Sequence, residues 1–247
     1  MIILKKKLVV FICLLLIVNV FAQEKTCIVI YHGEINKKYV DSFLKALERK
    51  DEVPMHIKQS VYETYQNALP EEFILNIKNG KSYYYNNPTL DPDEGYNIGS
   101  KASKSPYYTN NTNGEIIEMN PYLGNIIHKP LKWKVTSKTI NIGGYKCYQA
   151  IASERLFSRR GFYYNRQVIA WFAPEIPLNF GPSNYSGLPG LILEVQRDKF
   201  TLTATIINLN PEEEVKIIKP KENSKIITEE ESHALIGNLE EERKNNR

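Results

Sequence analysis

Residues 171–195 read Trp-Phe-Ala-Pro-Glu-Ile-Pro-Leu-Asn-Phe-Gly-Pro-Ser-Asn-Tyr-Ser-Gly-Leu-Pro-Gly-Leu-Ile-Leu-Glu-Val. Two apolar runs of strand character flank a stretch punctuated by Pro174, Pro177, Gly181, Pro182, Gly187, Pro189 and Gly190. Proline brings no N–H to a sheet ladder, so this stretch is a loop or a sheet edge. Pro189 presets φ and Gly190 accepts a positive φ, the needs of the two central positions of a type II turn over Leu188-Pro189-Gly190-Leu191. On the strand that follows, Leu191, Leu193 and Val195 fall on one face, with Ile192 and Glu194 on the other. Gly187 is expected to permit close backbone approach, and Gly181-Pro182 to mark another turn. The whole is a rigid corner between two strands. It serves either as a plug that closes one mouth of a curved sheet or as the rim of a binding site. The rim would be formed by Trp171, Phe180, Tyr185 and Leu188, with Pro189 and Gly190 at the corner itself.

Working outward, strand signals dominate. Trp133 and Val135 alternate with Lys134 and Thr136, and the run continues to Ile140. Gly143-Gly144 turns it into Tyr145–Ile151, and a basic loop with Arg155, Arg159, Arg160 and Gly161 leads to Val168–Ala173. After the corner, Arg197-Asp198-Lys199 makes a turn into Leu202, Ala204 and Ile206, which alternate with threonines. Upstream, Cys27–Tyr31 reads as the first strand. Val40, Phe43, Leu44 and Leu47 then share one helical face, ended by Pro54. Ile57–Tyr65 is rich in β-formers and reads as a strand. Phe73, Leu75 and Ile77 alternate with polar neighbours up to Asn79-Gly80, which demands positive φ at both residues and marks a hairpin into Ser82–Tyr85. Residues 86–114 show little periodicity and read as a long loop, with the core resuming at Trp133. Short connections and no long helix between strands predict an antiparallel meander. The expected fold is mainly β, an antiparallel curved sheet or open barrel with one covering helix at 39–48.

The ends divide the chain into three parts. Lys5–Lys7 followed by the apolar run Leu8–Val18 and Val20-Phe21-Ala22 read as a signal peptide over residues 1–22. Its apolar core, roughly 11–14 residues, falls short of the ~20 that span a bilayer. Residues 23–210 form the β domain. Residues 211–247 are a charged tail in which Thr228-Glu229-Glu230-Glu231 is a capping-box pattern for a helix over 229–244. The formal charge of +4 is largely the leader's own, because without Lys5–Lys7 the 32 basic residues fall to 29 against 28 acidic ones. No field remains that would draw nucleic acid. The mature chain, with no further spanning segment, is expected in the periplasm or at the outer membrane. There Cys27 and Cys147, an even pair, would form a disulfide in an oxidising compartment or lie buried as free thiols.

The heptapeptide Gly187-Leu188-Pro189-Gly190-Leu191-Ile192-Leu193 resembles the signature of the GLPGLI family of Bacteroidetes envelope proteins. Trp133-Lys134-Val135, Gly144-Tyr145-Lys146-Cys147, Val168–Phe172, Pro174-Glu175-Ile176-Pro177 and Gly181-Pro182 follow that family's run in the same order, over roughly residues 120–210. The resemblance implies an exported protein without assigned activity and no catalytic residues to carry over. TonB-dependent receptors are a partner class it suggests. By analogy of shape, a curved sheet with helical cover is similar to the periplasmic lipoprotein carriers, which hold an apolar ligand.

The residues themselves offer little chemistry. Ser183 and Ser186 lack the strand-turn-helix setting of a nucleophile elbow. His32, His56, His128 and His233 are scattered, without the spacing of a helical zinc site. No dinucleotide or phosphate-cradling loop is present, so neither metal nor cofactor is expected. The 16 tyrosines, with runs at Tyr83–Tyr85, Tyr107-Tyr108 and Tyr163-Tyr164, suit both faces of a sheet or a contact surface. The function expected is non-enzymatic binding of an apolar ligand or an outer-membrane partner. The alternative is a hydrolase of peptide or glycan, which needs a carboxylate pair such as Glu175 and Glu194.

Overall fold

Asn79 and Gly80 take φ of 50° and 74°, and the two-residue turn they form joins β2 (Glu71–Lys78) to β3 (Lys81–Asn87). Gly143 and Gly144, at φ 57° and 87°, do the same between β7 (Lys134–Ile142) and β8 (Tyr145–Phe157). These turns set register, and register sets which side chains face inward. A computed structural model describes residues 26–87, 105–158 and 161–245, with side chains to residue 237. The expected leader, Arg159 and Arg160 lie outside the described residues. No helix among those described is long and apolar enough to cross a membrane.

The remaining strands are β1 (Thr26–Ile35), β4 (Tyr107–Asn110), β5 (Glu115–Asn120), β6 (Gly124–Ile127), β9 (Tyr163–Ala173), β10 (Leu191–Arg197), β11 (Phe200–Asn208) and β12 (Ile226–Thr228). All twelve join one sheet in the order β12-β6-β5-β4-β3-β2-β1-β11-β10-β9-β8-β7. The fold is mainly β and open: β12 and β7 are its two outer strands, so no barrel closes. The sheet is mixed where a purely antiparallel one was expected, because β12 runs parallel to β6. Residues 209–225 carry the chain from β11, mid-sheet, to the far edge, where β12 enters beside β6 in the same direction. The connection is tethered on the way by buried Val215 and a 3.0 Å bond from Asn76 Nδ2 to the Lys216 carbonyl.

Of the loop expected over 86–114, residues 88–104 lie outside the described residues and 107–110 form a strand instead; residues 115–127, where no strand was read, add two more. These are β4, β5 and β6, with Tyr107, Tyr108, Ile116, Ile117 and Ile126 all buried. Four to six residues per strand leave too few alternations for the period of two to register. Ile57–Tyr65 is helical rather than extended: α2 (Met55–Gln66) follows α1 (Lys37–Glu48). Ile57, Val61 and Tyr65 stand at i, i+4 and i+8, a helical stripe that β-propensity obscured. The two helices share a small core of Val40, Leu44 and Tyr65, packed with Phe43, Val61 and Ile35. Phe43 meets Tyr65 edge-on at 5.9 Å.

Directly paired residues share a face of a sheet. One row therefore runs Ile126, Glu118, Tyr107, Tyr84, Leu75, Val29 across β6 to β1. A second runs Gly33, Leu202, Val195, Ala170, Ala150 across β1 to β8. Nearly every member is apolar and buried, and Gly33 is glycine because a Cβ there would lie 2.9 Å from Phe73 Cε2. This continuous face is the inside of the curved sheet. Glu118 on it is a charged exception, and Glu154 and Arg197 join it by the strand period.

The corner at 174–190 differs from the expected type II turn. Gly190 N–H bonds the Leu188 carbonyl at 2.8 Å, closing a tighter three-residue turn about Pro189. Leu191 N–H, which the type II turn would use, instead donates to Ile176 O at 3.0 Å. Gly190 has φ 156°, and a Cβ there would stand 2.3 Å from the Ala173 carbonyl oxygen. Close approach thus belongs to Gly190 and to Gly181, whose Cβ would lie 2.7 Å from Tyr185 O. Gly187 has open space and is needed for its φ of 85°. The register between β9 and β10 shifts between Ile192 and Glu194. This bulge puts Leu191 and Leu193 in the main core and both Ile192 and Val195 in the second, so the simple alternation expected for β10 fails there.

Candidate functional site

Glu118 on β5 and Arg197 on β10 are six strand positions apart in the sheet, about 29 Å if it were flat. Both nonetheless line one hollow of about 380 Å³. The curl of the sheet brings them to a common space, and α3 (Glu229–Asn245) supplies a further wall through Ser232, His233 and Ile236. Thr228 caps α3 as the sequence predicts: Thr228 Oγ1 accepts from Glu231 N–H at 3.1 Å, and Glu231 Oε2 accepts from Thr228 N–H at 2.7 Å. The His233 ring stacks on Phe157, 5.3 Å between centroids, which ties the helix to the end of β8.

At the β5–β6 side the hollow holds a clamp. His128 Nε2 lies 3.0 Å from Glu118 Oε2 and its Nδ1 lies 2.6 Å from Glu229 Oε1. Two carboxylates on opposite ring nitrogens require both nitrogens to donate, which is the imidazolium. Burial works against that charge, but the two carboxylates prevail and raise the His128 pKa from 6.5 to about 9. Burial likewise opposes ionisation of Glu118. The bond from His128, with others from Asn120 and Ser105, holds it at about 2. The clamp fastens α3 to β5.

Across the hollow, Glu154 and Arg166 are register partners on β8 and β9. Arg166 donates twice to Glu154 Oε2, from NH2 at 2.6 Å and from Nε at 3.1 Å. Tyr185, from the corner, reaches toward the other oxygen, its hydroxyl 3.5 Å from Glu154 Oε1. Arg197 NH1 donates to the same hydroxyl at 3.0 Å. Burial pushes the Tyr185 phenol up, against the pull of Arg197.

The six residues predicted to form a rim do not form one accessible surface. Trp171, Phe180, Tyr185 and Leu188 are 7%, 3%, 0% and 2% exposed. Trp171 and Phe180 belong to the main core, Tyr185 and Leu188 to the second. Gly190 is buried against Ala173, and Pro189 alone of the six is exposed. Tyr185 reaches the ionisable groups of the hollow. Phe180 lines a second cavity of about 410 Å³ with Pro177, Leu178 and Asn179, beside the hairpin-turn residues Gly80 and Asn111. Cys27 and Cys147 are free, buried thiols, raised by burial to about 12 and about 11. They stand on β1 and β8, four positions apart along the sheet, and are not bridged.

Sequence reasoning missed Glu118, Glu154, Arg197 and Glu229, and set His128 aside as scattered. A signal was present for two of them. Glu154 continues the inward parity of Ala150 and Ala152, and Arg197 that of Val195. A charge on the buried parity of a strand needs a partner inside. Among the described residues no group of three or more His, Cys, Asp or Glu is placed to hold a metal ion. What the hollow offers is fixed charge, hydrogen-bond donors and aromatic faces from Tyr107 and Tyr164.

No curated protein matches the sequence. Among solved structures, PNGF-II in a P21 crystal form is similar with a TM-score of 0.47 at 15% identity, covering 86% of this chain and 33% of that one. PNGF-II in a C2 form gives 0.45 at 14% identity, over 87% and 33%. The chain therefore spans about a third of the length of those molecules. The model of the family described as "Protein of unknown function (Porph_ging)" matches residues 158–194, which hold β9, the corner and the head of β10.

Proposed function

We propose that this chain is an exported, non-enzymatic binding protein of the cell envelope, of the GLPGLI kind, that holds a small polar ligand in the hollow under α3. One observation carries the choice of binding over catalysis: the carboxylates there are already committed. Glu118 and Glu229 grip His128, and Glu154 is held twice by Arg166. A hydrolase needs one carboxyl free to give a proton and another free to attack or to activate water. Glu175 and Glu194, the pair considered from sequence, do not line the hollow. Glu194 is bonded to Gln196 and Thr203, and Glu175 is exposed. The charged wall also changes the ligand, polar here where the sequence suggested an apolar one. The cavity beside Phe180, Pro177 and Leu178 supports a second reading, in which an apolar group of an outer-membrane partner docks at the corner.

The test is capture. Protein isolated from its own envelope and examined by native mass spectrometry should retain a small polar molecule, and Leu156→Trp, which fills the hollow, should release it. Retention by Leu156→Trp but not by Phe180→Asp moves the site to the corner. Cleavage of a peptide or glycan by purified protein, abolished in Glu154→Gln, would overturn the non-enzymatic reading.

A further inference from the structure

Arg197 ends β10 with its guanidinium in the interior, and the residue is 7% exposed. Of its five N–H donors, one on NH1 reaches the Tyr185 hydroxyl, while Nε is buried without a hydrogen-bond partner. Every other cation facing the hollow that is comparably buried has a carboxylate against it: Arg166 has Glu154, and His128 has two. Arg197 has none within ion-pair distance among the described residues. Its Cζ lies over the Phe200 ring, 4.2 Å from the centroid, and such a contact recovers little of the cost of burying the charge.

His233, on α3, also lines the hollow, and its Nδ1 is buried without a hydrogen-bond partner. The interior of this sheet therefore carries a guanidinium whose nearest carboxylate, Glu154, is reached only through the Tyr185 hydroxyl and is already paired with Arg166, beside an open volume large enough for a small ligand.

We propose that the ligand is bound through an oxyanion, a carboxylate or a phosphoryl group, seated on Arg197. This rests on the binding reading above and names the chemistry of its ligand. A guanidinium presents paired donors that match the two oxygens of such a group. The Phe200 ring against Cζ and the bond from NH1 to the Tyr185 hydroxyl hold the guanidinium in place before the ligand arrives.

The probes are inorganic phosphate and acetate, titrated into the whole chain at constant ionic strength made up with chloride. The readouts are thermal unfolding and the Nε–H resonance of Arg197, assigned by its loss in Arg197→Met. One of the two anions should raise the unfolding temperature and move that resonance saturably, phosphate marking a phosphoryl ligand and acetate a carboxylate. In Arg197→Met the anion-dependent stabilisation should be gone, with affinity weakened about tenfold or more. The variant itself should unfold no lower than the parent, since an unpaired buried charge is replaced by an apolar stem. If that variant does not fold, Arg197→Lys, which keeps charge without the fork, should show the same anion with a weaker midpoint. No saturable response to either anion, or an equal response in Arg197→Met, overturns the assignment. A neutral molecule captured from the envelope and retained by Arg197→Met ends the oxyanion reading alone. No captured molecule together with no anion response ends both.

Discussion

The clamp at His128 makes the stability of this fold depend on pH with a sign that can be worked out. His128 binds its proton more tightly folded than unfolded, with a pKa of about 9 against 6.5. Its contribution is therefore complete below pH 6.5 and is lost as the pH climbs through about 9. The difference corresponds to at most about 3 kcal/mol, from 1.36 kcal/mol per pH unit. The side chain is 13% exposed and Glu118 is 11% exposed, so solvent screens the pair only weakly. On the acid side Glu118 is held at about 2 against 4.5, and its contribution fades as the pH falls from 4.5 through 2. That is the same contact seen from the other partner, and the two figures do not add. Urea denaturation at pH 6 and pH 9.5 measures the effect. The parent should lose most of those ~3 kcal/mol between the two, and His128→Gln should lose far less, being already weaker at pH 6. Hydrogen exchange should place the alkaline loss in α3, which the clamp fastens. Equal pH dependence in parent and variant would refute an imidazolium between these two carboxylates.

The glycines of the corner should not be equivalent. Gly190→Ala must push a Cβ against the Ala173 carbonyl and should cost about 3 kcal/mol or more in unfolding free energy, whereas Gly187→Ala, with open space and only a positive φ to pay, should cost about 1–2 kcal/mol. The thiols of Cys27 and Cys147, raised by burial to about 12 and about 11, should resist a thiol-specific reagent at pH 8 in native protein and react at once in denaturant. A rapid native reaction would place one of them outside the core.

Much of the scaffold could be read from residues because the cues were local. Asn79-Gly80 and Gly143-Gly144 demand a particular backbone, and Thr228 with Glu231 form the reciprocal cap their spacing announces. What escaped was non-local or too short. β4 to β6 run four to six residues each, and α2 was hidden because Ile57, Val61 and Tyr65 favour strands singly yet recur every fourth residue. The hollow escaped for a different reason. Glu118 and His128 meet across the β5–β6 hairpin, but Glu229 reaches them from a helix about a hundred residues further along the chain. No window of sequence holds all three. The prolines and glycines of the corner, by contrast, explain themselves by backbone contacts, and only Tyr185 among its side chains reaches the charged interior.

An open sheet must also live with its two margins. On one side β12 is three residues long, too brief to recruit a neighbour. On the other, β7 offers nine residues, with Val135 and Ile140 substantially exposed. Its pairing with β8 slips between Val135 and Thr139, and Lys134 and Lys138 stand along it. An irregular, lysine-bearing border cannot serve as a straight template for another chain. The margin with length enough to polymerise is thus the one whose shape and charge work against it.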